Sequence, residues 1–298
     1  MGHGFSGSTL LTLLLGSHPA MATVGETEVA PAAKVDQGSL TCSCQRLFRD
    51  CDFWRSVQSG MAARGHDFDV VDAAALDFRA PHDPLADMMM RAGPRGPVLE
   101  TVRRLGLDLL PGPRRAMAKV VQRNQDFIET VTALRGCRVF VDASKRPVRA
   151  LHLRRLRDAR VKVIHLVRDG RAVACSAMRN LNATPEAGAR SWLRTNLACE
   201  RARHRFGAED WLRLRYEDLC ADPAMTLAAL HRFIGVAEHP LADDFHDGQH
   251  VIGNRMRLRH MGEIVADERW RQSLTTAERG LIEQVAGAAN RRYGYEER

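Results

Sequence analysis

The spacing of apolar and polar residues changes period along this chain, and the change separates its parts. Near the start, a glycine-rich stretch from Gly2 to Gly7 leads into Ser8-Thr9 and then Leu10-Leu11-Thr12-Leu13-Leu14-Leu15, closed by Gly16. That order predicts a loop, an N-capped buried helix and a glycine stop. A short β-like run, Ala22–Val24, comes next. From Ala73 to Leu134 the apolar residues recur mostly at helical spacing. Pro81, Pro84, Pro94, Pro97, Pro111 and Pro113 interrupt that stretch and predict several short helices in place of one long one.

Past residue 136 the period shortens. Cys137–Val141 and Val161–Val167 are β-branched runs of the kind found in buried parallel strands, and Trp211–Leu214 is a third. Helical stretches follow them at Arg149–Asp158, Arg171–Asn180 and Met225–Ile234. Strand and helix in alternation predict an α/β fold, a three-layer sandwich around a central parallel sheet with right-handed crossovers. Ligands of such folds sit beyond the carboxyl ends of the strands, so the residues there are the first candidates for chemistry. No internal repeat or linker divides the 298 residues. They read as a single domain over 1–298, with a helical, cysteine-containing insert at about 36–134.

Charge sharpens this picture. Lys and Arg outnumber Asp and Glu by 44 to 36, a net +8 that favours anionic partners. Between Arg135 and Arg179 there are 13 Lys/Arg against Asp142, Asp158 and Asp169. That stretch lacks the interleaved aromatics of a nucleic-acid stacking surface, so no nucleic-acid partner is expected. The apolar run Leu10–Leu15 is far too short to span a membrane, and no stable membrane insertion is expected. Ala20-Met21-Ala22 has the small-x-small look of a cleavage site, but no Lys or Arg precedes it. Seven cysteines, an odd number, do not suggest a secreted disulfide scaffold, and a cytoplasmic location is expected.

Gly2-x4-Gly7-Ser8-Thr9 has the spacing of a phosphate-binding loop, in which backbone N–H groups and a helix N-terminus hold an anion. Ser8 stands where a nucleotide triphosphatase carries its lysine, which counts against a P-loop kinase and suits a smaller 5'-phosphate. Ser6-Gly7-Ser8-Thr9-Leu10-Leu11 resembles the 5'-phosphosulfate loop of the sulfotransferases that use 3'-phosphoadenosine-5'-phosphosulfate (PAPS). The likeness is to bacterial-type members with features of the Golgi and tyrosylprotein branch, not the cytosolic one. In that family a basic residue precedes this loop's serine; here the position is Phe5. The strand expected ahead of the loop is missing from a chain that begins at Met1, so either the first strand is cut short or the edge is built differently.

Further segments carry the resemblance. Val163–Val167 delivers Arg168 at a strand end, and Ser176 follows two helical turns later. The resemblance implies that this arginine and serine grip the 3'-phosphate, a task suited to a guanidinium and a hydroxyl. Asp142-Ala143-Ser144-Lys145 resembles the lysine loop facing the transferred group, and Gly25-Glu26-Thr27-Glu28 the loop that supplies a catalytic carboxylate. Transfer to a hydroxyl needs a base, which points to Glu26, with Glu28 second and His18 a weaker rival. Tyr216, in Leu214-Arg215-Tyr216-Glu217-Asp218, resembles a tyrosine lying near the adenine. Gly253-Asn254-Arg255-Met256-Arg257 resembles the basic loop closing over the nucleotide, with Arg257 preferred to Arg255. The implied site therefore comprises Gly4, Phe5, Ser6, Gly7, Ser8, Thr9, Arg168, Ser176, Tyr216 and Arg257 for PAPS, and Glu26 and Lys145 for catalysis. The implied activity moves a sulfuryl group to a hydroxyl or amine of a small-molecule or glycan acceptor and releases the 3',5'-bisphosphate PAP. A catalytically impaired PAP-binding protein and a P-loop kinase are the alternatives.

Cys42-x-Cys44-x6-Cys51 lacks the paired Cys-x-x-Cys knuckles of a strong zinc motif, so free thiols are the expected state and no metal ligand is assigned. Three zinc thiolates completed by Cys137 or a histidine such as His66, or a disulfide, are the alternatives.

Overall fold

The four strands among the described residues pair in parallel. The computed structural model describes residues 1–28, 41–72, 75–93, 96–253, 258 and 263–296. Strand β1 (Met21–Gly25) pairs with β2 (Val139–Asp142), and β3 (Val163–Val167) with β4 (Trp211–Arg215). The segment ahead of the phosphate-loop motif is also extended. Gly2 bridges Leu166 in parallel, Leu166 N–H donates to the Met1 carbonyl at 2.9 Å, and the Met1 ammonium donates to the Ile164 carbonyl at 2.7 Å. The first residues thus line the edge of β3 that β4 leaves free.

Alternation along the strands explains the layers. Met21, Val139, Val141, Ile164 and Leu166 face one core, which is filled by Leu10, Leu11, Leu13, Leu14 and Leu15 of α1 (Ser8–Gly16). Both strand pairs share that core. Ala22, Val24 and Phe140 face the opposite way, onto Trp54 and Val57 of α2 (Asp52–Ala63) and onto Phe127 and Val131. Val167 faces away too, onto Val173 and Trp192. At roughly 1.5–3 kcal/mol per fully buried large apolar side chain, the α1 leucines alone make this helix a principal anchor of the fold.

Ahead of β2, α3 (Pro84–Arg91) and α4 (Pro97–Leu109) pack on α5 (Pro111–Arg135). α5 runs unbroken for 25 residues, which corrects the expectation of short helices only. Pro111 and Pro113 lie in its first turn, where the missing N–H costs no intrahelical bond. α6 (Pro147–Leu153) ends earlier than the predicted Asp158. Beyond β3 come α7 (Gly170–Leu181) and α8 (Pro185–Arg203), and beyond β4 come α9 (Tyr216–Ala221) and α10 (Pro223–Ile234). α7 packs on α8 and on α11 (Trp270–Ser273), and both α7 and α8 pack on α12 (Thr276–Arg292). No helix among the described residues is long and apolar enough to cross a membrane.

Candidate active site

The N-terminal loop meets the end of β3 directly. Gly7 caps α1 at φ 87°, a left-handed conformation, and no side chain caps that helix end. A Cβ at Gly7 would collide with the ring of Tyr216, so only glycine fits between them. Phe5 is also left-handed, at φ 63°. Its carbonyl accepts a 2.9 Å hydrogen bond from Arg168 Nη1, and the same guanidinium lies over the Tyr216 ring, 4.6 Å from its centroid. Phe5, Gly7, Arg168 and Tyr216 therefore form one contact cluster from three separate parts of the chain. Ser176 is buried on α7, the helix that Arg168 introduces.

Two buried polar atoms of this cluster, Ser6 Oγ and Arg168 Nε, have no hydrogen-bond partner among the described residues. Buried polar groups are ordinarily satisfied, and together with the uncapped N-terminus of α1 they suit an anionic ligand. Arg168 Nη2 donates to the Asp267 carbonyl at 2.6 Å and stands 3.5 Å from its carboxylate. Hydrogen bonds from Arg269, aided by the charge of Arg168, hold the Asp267 carboxyl well below its usual range. Tyr216 is nearly covered, and burial pushes its hydroxyl up to about 12. The ring serves as packing between the loops and offers little open face.

The second half of the site sits where β1 and β2 end. Lys145 Nζ forms an ion pair with Glu26 Oε1. Ser144 Oγ accepts the backbone N–H groups of Thr27 at 3.1 Å and Glu28 at 3.0 Å, and Ser144 N–H donates to Asp142 at 2.8 Å. Asp142 in turn takes a 2.7 Å bond from Arg149, which, against the opposing effect of burial, keeps its carboxyl low. This lattice fixes the Glu26 loop to the Lys145 loop. Glu28 is buried and paired with Arg146 at 3.0 Å, and burial raises its carboxyl above the usual range. Glu26, the more accessible of the two, borders a small open cleft lined also by Trp54, Phe68, Val70, Leu76 and Phe127.

The remaining candidates fall as follows. His18 donates through Nε2 to the Ala237 carbonyl at 2.9 Å and accepts the Ala20 N–H at Nδ1, so both ring nitrogens serve the backbone at the far end of α1. Arg255 and Arg257 lie outside the described residues. Cys137 and His66 stand apart from the cysteine cluster: the Cys137 thiol turns to the Val139 carbonyl, and His66 pairs with Asp126 at 2.6 Å.

Residues 1–240 match the model of the sulfotransferase family. The chain belongs to that family. This sulfotransferase resembles, in overall fold, the sulfotransferase domain of the curacin biosynthetic pathway, with a TM-score of 0.53, 16% identity and coverage of 100% of this chain and 96% of that one. The sulfotransferase domain of the Synechococcus olefin synthase aligns at 19% identity and TM-score 0.49, covering 98% and 92%. Sulfotransferase STF9 from Mycobacterium avium aligns at 16% identity and TM-score 0.45, covering 99% and 76%. No curated protein matches the chain.

In this sulfotransferase, sequence reading missed Asp267 and Trp54. Nothing local marks Asp267, which reaches Arg168 across 99 positions. Trp54 carries a buried indole N–H without a partner among the described residues and lines the cleft beside Glu26.

Proposed function

We propose that the chain transfers the sulfuryl group of PAPS to a hydroxyl or amine of a small-molecule or glycan acceptor and releases PAP. The observation that carries this reading is the junction of Arg168 with Phe5, which brings the loop before α1 and the end of β3 to one place. PAPS bears roughly four negative charges, two of them on its 3'-phosphate. The N-terminus of α1 with Ser6 and the residues Gly4 to Thr9 suits its 5' end, and Arg168 with Ser176 suits its 3'-phosphate. Arg257 is proposed as a further phosphate ligand. Tyr216 contributes by holding the two cradles apart.

PAPS supplies an activated sulfuryl group whose leaving group is a phosphate oxygen. Glu26 accepts the acceptor's proton as the acceptor oxygen or nitrogen bonds to sulfur and the bond from sulfur to the 5'-phosphate breaks. Lys145, ion-paired with Glu26, is placed to neutralise charge that develops between donor and acceptor, and so replaces the basic residue that Phe5 displaces. The Gly25-Glu26 placement supports the Golgi and tyrosylprotein-like branch for the catalytic carboxylate. The insert supplies the apolar walls of the cleft, within one domain spanning 1–298. An acceptor with an apolar face beside its nucleophile fits those walls, and the free Trp54 N–H can recognise a polar group on it. The cytoplasm is the proposed site of action.

Binding of PAP and ATP by calorimetry, followed by incubation of labelled PAPS with a metabolite extract, tests this reading. Preference for PAP together with transfer of label is expected. Binding of PAP without any transfer points instead to an impaired nucleotide-binding protein, and preference for ATP to a kinase.

A further inference from the structure

Cys42, Cys44, Cys51 and His250 offer four ligand atoms that all lie within 4.8 Å of one another. The separations include 3.6 Å between the Cys44 and Cys51 sulfurs, 3.6 Å from Cys42 Sγ to His250 Nδ1, and 3.3 Å from Cys51 Sγ to the same nitrogen. With Zn–S near 2.3 Å and Zn–N near 2.05 Å, a tetrahedral ion needs sulfur–sulfur edges of about 3.8 Å and sulfur–nitrogen edges of about 3.6 Å. The four atoms thus already outline such a polyhedron. We propose that this chain holds one structural zinc ion through Cys42, Cys44, Cys51 and His250.

The chain at 41–47 folds into a tight hairpin, with Thr41 bridging Leu47 and Gln45 at φ 68°. Phe53 stacks on His250, with ring centroids 4.6 Å apart and planes inclined by 6°, which fixes the imidazole with Nδ1 toward the sulfurs. Cys42 and Cys51 are buried, so a closed, four-protein-ligand site is the form that fits. A disulfide between any two of the cysteines uses neither the third thiol nor His250.

The ion has a mechanical role. Ser43 Oγ donates to the Gln249 carbonyl at 2.6 Å and accepts the Val251 N–H at 2.7 Å, clipping the hairpin to the segment that carries His250. That segment extends the sheet beside β1: Ile252 N–H donates to the Val24 carbonyl at 2.7 Å, and Glu26 N–H to the Ile252 carbonyl at 3.2 Å. The metal therefore ties the hairpin, the start of α2 and the strand behind Glu26 into one unit. This holds whatever reaction Glu26 serves.

Elemental analysis of the full chain purified without chelator, alongside Cys44→Ser and His250→Ala, tests the proposal. About one zinc per wild-type chain is expected, with most of it lost in both variants. A strong chelator should lower the wild-type melting temperature, and zinc chloride alone should restore it. Should either variant fail to fold, the wild-type content and the chelator cycle still decide. The proposal falls if wild-type protein carries no stoichiometric zinc and takes none up after reduction, or if folded variants keep theirs in full.

Discussion

Arg168 Nη1 donates to the carbonyl oxygen of Phe5 at 2.9 Å across 163 positions of sequence. The loop before α1 and the end of β3 are thereby locked together, and Arg168 is left with Nε free among the described residues. Replacing Arg168 by alanine should weaken PAP binding roughly a hundredfold, about 3 kcal/mol, the scale of a charge-assisted phosphate contact. Calorimetric titration of the folded variant measures this. Affinity within twofold of wild type would remove Arg168 from the phosphate site.

Glu26 and its ion pair with Lys145 predict a different signature. Glu26→Gln should leave PAP affinity within about twofold and lower kcat by roughly 10²–10⁴, as loss of a general base does. Steady-state kinetics with labelled PAPS and any accepted hydroxyl compound reads both. Undiminished turnover assigns the base elsewhere, with Glu28 disfavoured by its burial against Arg146.

Asp267 sets its carboxylate 3.5 Å from the guanidinium that the 3'-phosphate would need. Asp267→Asn removes that competing negative charge, which for a partly exposed group is worth about 1 kcal/mol. PAP should bind roughly fivefold tighter. Weaker binding would mean that Asp267 chiefly positions Arg168.

Two buried histidines set an acid limit on stability. Burial pushes His152 down to about 3 and His165 to about 4, from an ordinary value of 6.5. Below about pH 6.5 the unfolded chain binds protons that the folded chain refuses, so stability is complete above that pH and falls as pH drops toward 4. The loss is about 1 kcal/mol per pH unit for each histidine, offset in part by Glu28 and Asp77, whose burial-raised carboxyls act in the opposite sense. Melting temperatures from pH 7 to 5 test this, and His165→Gln should flatten the decline. A flat wild-type profile contradicts it.

Short-range signals are legible in the order of residues alone. The β-like runs Ala22–Val24 and Cys137–Val141 mark two of the strands, and the strand–Arg168–helix order is local in sequence. What spacing does not carry is long-range partnership. His250 meets Cys51 from 199 residues away, so proximity in sequence points instead to His66 and Cys137 as a fourth ligand. Asp267 is equally hidden from Arg168, 99 positions off. The prolines of α5 mislead because a proline in a first turn and one in a helix interior are the same letter. Resemblance makes Tyr216 a wall near the adenine, whereas tertiary packing nearly covers it.

That covered ring has a consequence for selectivity. Tyr216 stands between Gly7 and Arg168 like a gauge block, and a rigid aromatic cannot be compressed as a lysine or a mobile loop can. Under the proposed function, in which the two loops seat the two ends of PAPS, the ring would fix the span between those seats, and ligands would be sorted by the distance separating their phosphates before total charge is weighed.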